Sequence, residues 1–247
     1  MTTRVRPEWL VGSVAAVQPE TATARRVVLD VPGWPGNDAG AHLDVRLTAP
    51  DGYQASRSYS IASSGPSERV VLAIDEIPTG EVSPFLTREL RAGDQLEVHG
   101  PLGAYFVWRP RGFGSTSGPV QLIGGGSGIV PLHAIARAAA DAGRLADFRL
   151  LSSVRSPADQ FFADELVALA EAGLRVDTVY TREAPAGWPV APARLTRETL
   201  AAAIPDAATI ERSYVCGPTP FVEAVARWLI ELGHAPGTIR TERFGSA

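Results

Sequence analysis

Along the first hundred residues, apolar and polar positions alternate in short runs. RRVVLDV, HLDVRLT, RVVLAIDEI and QLEVHGPLG each follow a period of two and are bounded by Pro, Gly or Asp, the pattern of half-buried strands between turns. Residues 10 to about 108 therefore read as six or so short strands, spaced closely enough for a small antiparallel Greek-key barrel. The one helical stretch there is SPFLTREL, with Ser83 placed as N-cap and Pro84 at the first helical position.

The grammar then changes. RPRGFGSTSGP has no apolar period and reads as a linker, predicted at 111–118 between a first domain over 1–110 and a second over 119–247. Beyond it, short apolar strands (PVQLIGG, FRLLSSV, RVDTVYT, RSYVCG) alternate with helical stretches. PLHAIARAAADAG should end at Gly143. SPADQFFADELVALAEAG reads as one helix, with Ser156 as N-cap, Pro157 first, Asp159 closing a capping box and Phe162, Leu166 and Leu169 on its apolar face. TPFVEAVARWLIELG is the last helix. Strands alternating with helices predict a parallel, Rossmann-like sheet covered on both faces.

Composition narrows the chemistry. Apolar residues make up 45% of the 247, enough for a sizeable core. The formal charge is −4, and a nucleic-acid binder needs a cationic face, so that class is excluded. All 23 basic residues are Arg, which removes lysine Schiff-base and P-loop chemistry. Cys216 is the single cysteine, so neither an internal disulfide nor a four-thiolate iron–sulfur cluster is available. The four histidines are scattered, and no metal site is expected. No apolar run suits a secretion signal or a membrane span, so a cytoplasmic protein is the expectation.

Five stretches carry candidate chemistry. In RSYSIASS, Arg57 and Tyr59 share a strand face, a guanidinium to grip phosphate and a ring to stack on a flat ligand, while Ser60 points the other way as a hydrogen-bond donor to a ring nitrogen. An ordinary barrel strand explains the same residues. In TGEVSPFLTREL, a turn at Gly80 leads through Val82 and Ser83 into a helix start that suits an anion, or simply caps a helix. HGPLGAYF reads as structural, with Tyr105 and Phe106 filling a core. LIGGGSGIVPL runs from strand through Gly124, Gly125, Gly126 and Gly128 to a helix containing Pro131, the context of a phosphate cradle but not a true G-x-G-x-x-G. YVCGPTPFVEAV ends a strand at Cys216, Gly217 and Pro218, at the carboxyl end where open sheets bind ligands. A small buried residue is the alternative for Cys216.

Each pattern is weak alone. Together and in this order, R-x-Y-S, G-P-x-G, G-G-x-G-[IV]-x-P and C-G-P-x-x-[FM] resemble the ferredoxin–NADP reductase superfamily over roughly residues 10–244. The resemblance implies a flavin-binding barrel in which Arg57 holds the pyrophosphate, Ser58 belongs to the same motif, Tyr59 stacks on the isoalloxazine and Ser60 bonds near N5. It implies a second pyrophosphate contact at Gly80, Val82 and Ser83, favouring FAD over FMN, and a nicotinamide dinucleotide cradle at Gly124–Gly128. Cys216 matches the family cysteine beside the nicotinamide, and Ser60 and Cys216 are the expected catalytic-site residues. The ending RTERFGSA departs from the plant-type pattern, leaving Phe244 or Glu242 to approach the ring. Arg155 and Arg182 suit the 2′-phosphate of NADP(H), with NAD(H) as the alternative. The resemblance further implies hydride transfer from NAD(P)H to flavin, then single electrons to a separate protein: a ferredoxin, a flavodoxin or an oxygenase component. The alternative is a flavin-binding electron-transfer subunit of a larger redox complex without NAD(P)H activity of its own.

Overall fold

The structure is a computed structural model that describes residues 9–112 and 115–245. Residues 1–8 of the expected first domain, 113 and 114 of the expected linker, and 246 and 247 lie outside the described residues. The chain divides after Ala104 into two compact units.

The first unit holds six antiparallel strands: β1 (Leu10–Pro19), β2 (Ala24–Asp30), β3 (His42–Thr48), β4 (Gln54–Ser60), β5 (Arg69–Asp75) and β6 (Gln95–Leu102). Their order is β4-β3-β6-β1-β2-β5. A bridge between Ile61, just past β4, and Leu72 of β5 brings the two outer strands together. The alternation predicted from sequence is the barrel's in–out pattern: Leu43, Val45, Val27, Leu29, Val70, Leu72, Leu96 and Val98 are all buried. Each such side chain contributes about 1.5–3 kcal/mol relative to exposure.

The SPFLTREL stretch forms a single π-helical turn, Phe85–Glu89, with Pro84 rather than Ser83 as N-cap. The Ser83 hydroxyl is used elsewhere, accepting the Ile77 N–H at 3.0 Å, while Thr87 Oγ1 donates to the Ser83 carbonyl at 2.9 Å.

The second unit is a five-stranded sheet of β7 (Val120–Gly125), β8 (Phe148–Val154), β9 (Arg175–Tyr180), β10 (Arg212–Pro218) and β11 (Ile239–Phe244), in the order β11-β10-β7-β8-β9. Every pairing is parallel. β7 is central and wholly buried, as its mostly apolar sequence fits, and its one polar side chain, Gln121, donates to the Leu122 and Arg149 carbonyls. Helices α1 (Ile129–Asp141), α2 (Ala163–Glu171), α3 (Arg197–Ala203) and α4 (Thr219–Glu231) cover the sheet. Ile123, Leu151 and Val215 pack with Leu200 of α3 and Val222, Val225 and Leu229 of α4. None of these helices is long and apolar enough to cross a membrane.

Three elements differ from the sequence reading. The stretch after β8 is not one helix: a 3-10 turn at Pro157–Asp159 is separated from α2 by Phe162 in the left-handed region, φ 56°. Ser156 takes the N-cap position with Pro157 next, as expected, but of the 3-10 turn and without a side-chain cap bond: its hydroxyl donates to Asp159 Oδ2 at 2.6 Å. α3 and β11 were not foreseen. In HGPLGAYF, Phe106 fills a core as expected, but that of the second unit, edge-on to Tyr214. Tyr105 is exposed, with its hydroxyl donating to the Ile239 carbonyl.

Candidate functional site

In the first unit, two candidate anion-binding elements lie side by side. Arg57 leaves β4 with its guanidinium half exposed; Nη1 donates to the Ser56 carbonyl and Nη2 to Glu81 Oε2, both at 2.7 Å. The R-x-Y-S strand thus meets the Gly80–Ser83 turn across 24 residues of sequence. Val82 is fully buried and Ser83 nearly so, so the turn presents its backbone and one side chain, the half-exposed Glu81 carboxylate. The helical element behind it is only five residues long, so an anion at this turn would meet local N–H groups rather than a macrodipole.

Tyr59 is half-buried, and desolvation pushes its phenol far up against a small opposing effect of Arg57, so it is a neutral aromatic surface. Ser60 pairs with His42 at the start of β3. Ser58 faces the other way: its hydroxyl donates to Asp44 Oδ1 at 2.5 Å, on the side of the sheet where Asp44 also approaches His99. Any contribution of Ser58 to a ligand on the Arg57 face is therefore main-chain. Sequence reasoning missed Glu81 and Tyr53, whose hydroxyl donates to Glu81 Oε1 at 2.9 Å. The available signal was a charged residue inside a presumed phosphate turn.

In the second unit the chain runs β7, β8, β9 in one direction from the centre and then returns to place β10 and β11 on the other side of β7. The switch point lies between β7 and β10, and ligands of open sheets bind at the strand carboxyl ends there. Gly124–Gly128 follow β7, and Cys216, Gly217 and Pro218 end β10. The two turns are packed as one piece. A Cβ on Gly128 would lie 2.3 Å from the Cys216 carbonyl oxygen, so only glycine allows the contact. Gly126 has φ 55° and open space above it, the backbone shape a diphosphate cradle needs. Pro131 falls in the first turn of α1, where its missing N–H costs nothing.

Cys216 is 1% exposed. Burial first, and then the nearby Glu242 charge, push its thiol well above the ordinary range. It is a neutral S–H in register with Gly124 on one side and Glu242 on the other. The β11 register also sets half-buried Phe244 beside Pro218.

After β8, Arg155 is an exposed loop residue held by an ion pair. Its Nη2 donates to Asp159 Oδ1 at 2.6 Å, and its carbonyl accepts the N–H groups of Arg182 and Glu183. Arg182 is thereby held next to Arg155 with its side chain exposed. The loop presents an Arg–Asp–Ser cluster rather than Arg and Ser alone.

Comparison with known proteins agrees with this arrangement. The family model described as "Oxidoreductase FAD-binding domain" matches residues 25–107, and "Oxidoreductase NAD-binding domain" matches 122–227. The ferredoxin–NAD(P)+ reductase component of the naphthalene 1,2-dioxygenase/salicylate 5-hydroxylase systems of a Ralstonia species is 30% identical over 94% of this chain and 68% of its own length. The glycine betaine monooxygenase reductase subunit of Chromohalobacter salexigens is 32% identical over 79% of this chain; the match spans 53% of that relative. Among solved structures, a cytochrome P450 reductase from Amycolatopsis superposes with a TM-score of 0.83 at 28% identity, over 98% of this chain and 72% of its own.

Proposed function

Because the chain belongs to the ferredoxin–NADP reductase superfamily, we propose that it is an NAD(P)H-dependent FAD reductase serving a separate protein acceptor: a ferredoxin, a flavodoxin or an oxygenase component. The oxygenase systems named for the two relatives favour the last class. The supply of reduced nicotinamide nucleotide puts its work in the cytoplasm.

The observation that carries the proposal is the Arg57–Glu81 contact, which brings the R-x-Y-S strand and the Gly80–Ser83 turn side by side. The residues fit the cofactors. Arg57 and the backbone of Gly80, Val82 and Ser83 would hold the FAD pyrophosphate, Tyr59 would support the isoalloxazine, and Ser60 would bond near N5. Gly124, Gly125, Gly126 and Gly128, with the start of α1, would cradle the nicotinamide dinucleotide. Cys216, Gly217 and Pro218 would shape its nicotinamide end, with Phe244 next to them. Bound there, FAD supplies the chemistry of accepting a hydride and releasing electrons singly.

The protein's own task is binding and orientation. The neutral, buried Cys216 thiol is a positioning group and not a nucleophile, since a nucleophile needs the thiolate. Arg155, Arg182 and Asp159 would face the adenosine ribose; there Arg favours a 2′-phosphate and Asp favours free hydroxyls. The test is to identify the flavin released from purified protein and to assay NADPH and NADH oxidation with ferricyanide. FAD and steady turnover are expected. Bound flavin without turnover on either nucleotide would leave an electron-transfer subunit instead.

A further inference from the structure

Three segments of the first unit converge on one carboxylate. Glu81, in the turn before the π-helical element, accepts from Arg57 Nη2 at 2.7 Å through one oxygen and from the Tyr53 hydroxyl at 2.9 Å through the other. Tyr53 lies in the β3–β4 turn and Arg57 on β4. The Tyr53 hydroxyl first, and Arg57 second, hold the Glu81 carboxyl below its ordinary range, so it is an anion at neutral pH. The same carboxylate pushes the Tyr53 phenol up and keeps it a neutral donor. A carboxylate of the chain therefore sits on the guanidinium edge that a diphosphate would take.

Resting on the FAD site read above, we propose that Glu81 competes with the flavin pyrophosphate for Arg57 and so keeps the FAD exchangeable, with Tyr53 retaining the carboxylate when phosphate takes the guanidinium. Two anions on one guanidinium repel each other, so phosphate binds Arg57 less well while Glu81 holds Nη2. The pair is half exposed, at 52% for Arg57 and 50% for Glu81. Separating it is cheap, and the competition tunes affinity by up to about fivefold rather than blocking the site. If Glu81 instead served to aim Arg57 at the cofactor, removing its charge would weaken binding, so the two roles differ in sign.

The experiment is a titration of full-length protein, stripped of flavin, with FAD, followed by quenching of flavin fluorescence. Wild type is compared with Glu81→Gln, Glu81→Ala, Tyr53→Phe and Arg57→Ala, each checked for folding by circular dichroism. Glu81→Gln and Glu81→Ala are expected to bind FAD about two- to fivefold more tightly, with slower release, and Tyr53→Phe less tightly than wild type. Affinity in Glu81→Gln equal to or below that of wild type overturns the proposal. The Arg57→Ala arm separates the two levels. If it binds FAD like wild type, the FAD site itself is misassigned; if it loses FAD while Glu81→Gln gains nothing, only the competition falls.

Discussion

Replacing Asp159 with asparagine removes one negative charge from the loop after β8 while keeping the side chain's size. In the native loop, Asp159 Oδ1 holds Arg155 and Oδ2 holds the Ser156 hydroxyl, both at 2.6 Å. A 2′-phosphate approaching Arg155 must share its guanidinium with that carboxylate and bear its repulsion. At roughly 4–5 Å and the dielectric of water the repulsion is about 1 kcal/mol. The Arg155 side chain is 47% exposed, so freeing it for phosphate adds no more than about 1 kcal/mol. Together these terms, about 1–2 kcal/mol, predict that Asp159→Asn raises kcat/KM for NADPH relative to NADH by about 5- to 30-fold. The gain should come through KM, because the adenosine ribose takes no part in the hydride step. The assay is steady-state turnover with each nucleotide and ferricyanide as acceptor. A selectivity ratio within twofold of wild type, or a shift toward NADH, would refute the assignment of this loop to the ribose.

Other outcomes follow from the same geometry. Gly128→Ala drives a Cβ to 2.3 Å from the Cys216 carbonyl. It should raise the nucleotide KM about tenfold or more while FAD content stays at the wild-type level, and loss of FAD instead would contradict the separation of the two sites. The buried thiol of Cys216 should react with iodoacetamide at neutral pH at least about tenfold more slowly in native protein than in unfolded chain, as judged by mass spectrometry. His234 is 4% exposed, and burial holds its pKa below the ordinary 6.5. As pH falls, the unfolded chain binds that proton first, so wild type should lose stability from about pH 6.5 downward until the folded-state histidine also titrates. His234→Gln should lack this component in melts across that window; parallel curves would exclude it.

Much of the architecture is readable because burial on one face leaves a clean signal. HLDVRLT spans β3 residue for residue, since its alternating positions face a barrel interior. The short, mostly apolar run of β7, broken only by Gln121, marks a strand covered on both faces. Where reading failed, side chains found partners that local rules do not anticipate. Ser156 and Asp159 have capping spacing but bond each other, and burial of the successive Phe161 and Phe162 breaks the helix between them, with Phe162 stacked on His133 at 4.0 Å. β11 carries the polar run R-T-E-R, which gives no alternation; it is an edge strand held by the register of β10. α3 did carry a signal, as Thr196 caps it by accepting the Thr199 N–H at 3.2 Å. At the candidate site the motif residues were legible, but their partners were not. Glu81 and Asp159 each lie on the arginine proposed to meet phosphate, and only the fold brings Glu81 to Arg57.

The most direct test is anaerobic addition of NADPH or NADH to the FAD-reconstituted protein while its visible absorbance is followed. The account predicts that at least one nucleotide bleaches the yellow band stoichiometrically, and that ferricyanide restores it. A protein that stays colourless with added FAD, or whose colour neither nucleotide changes, would contradict it.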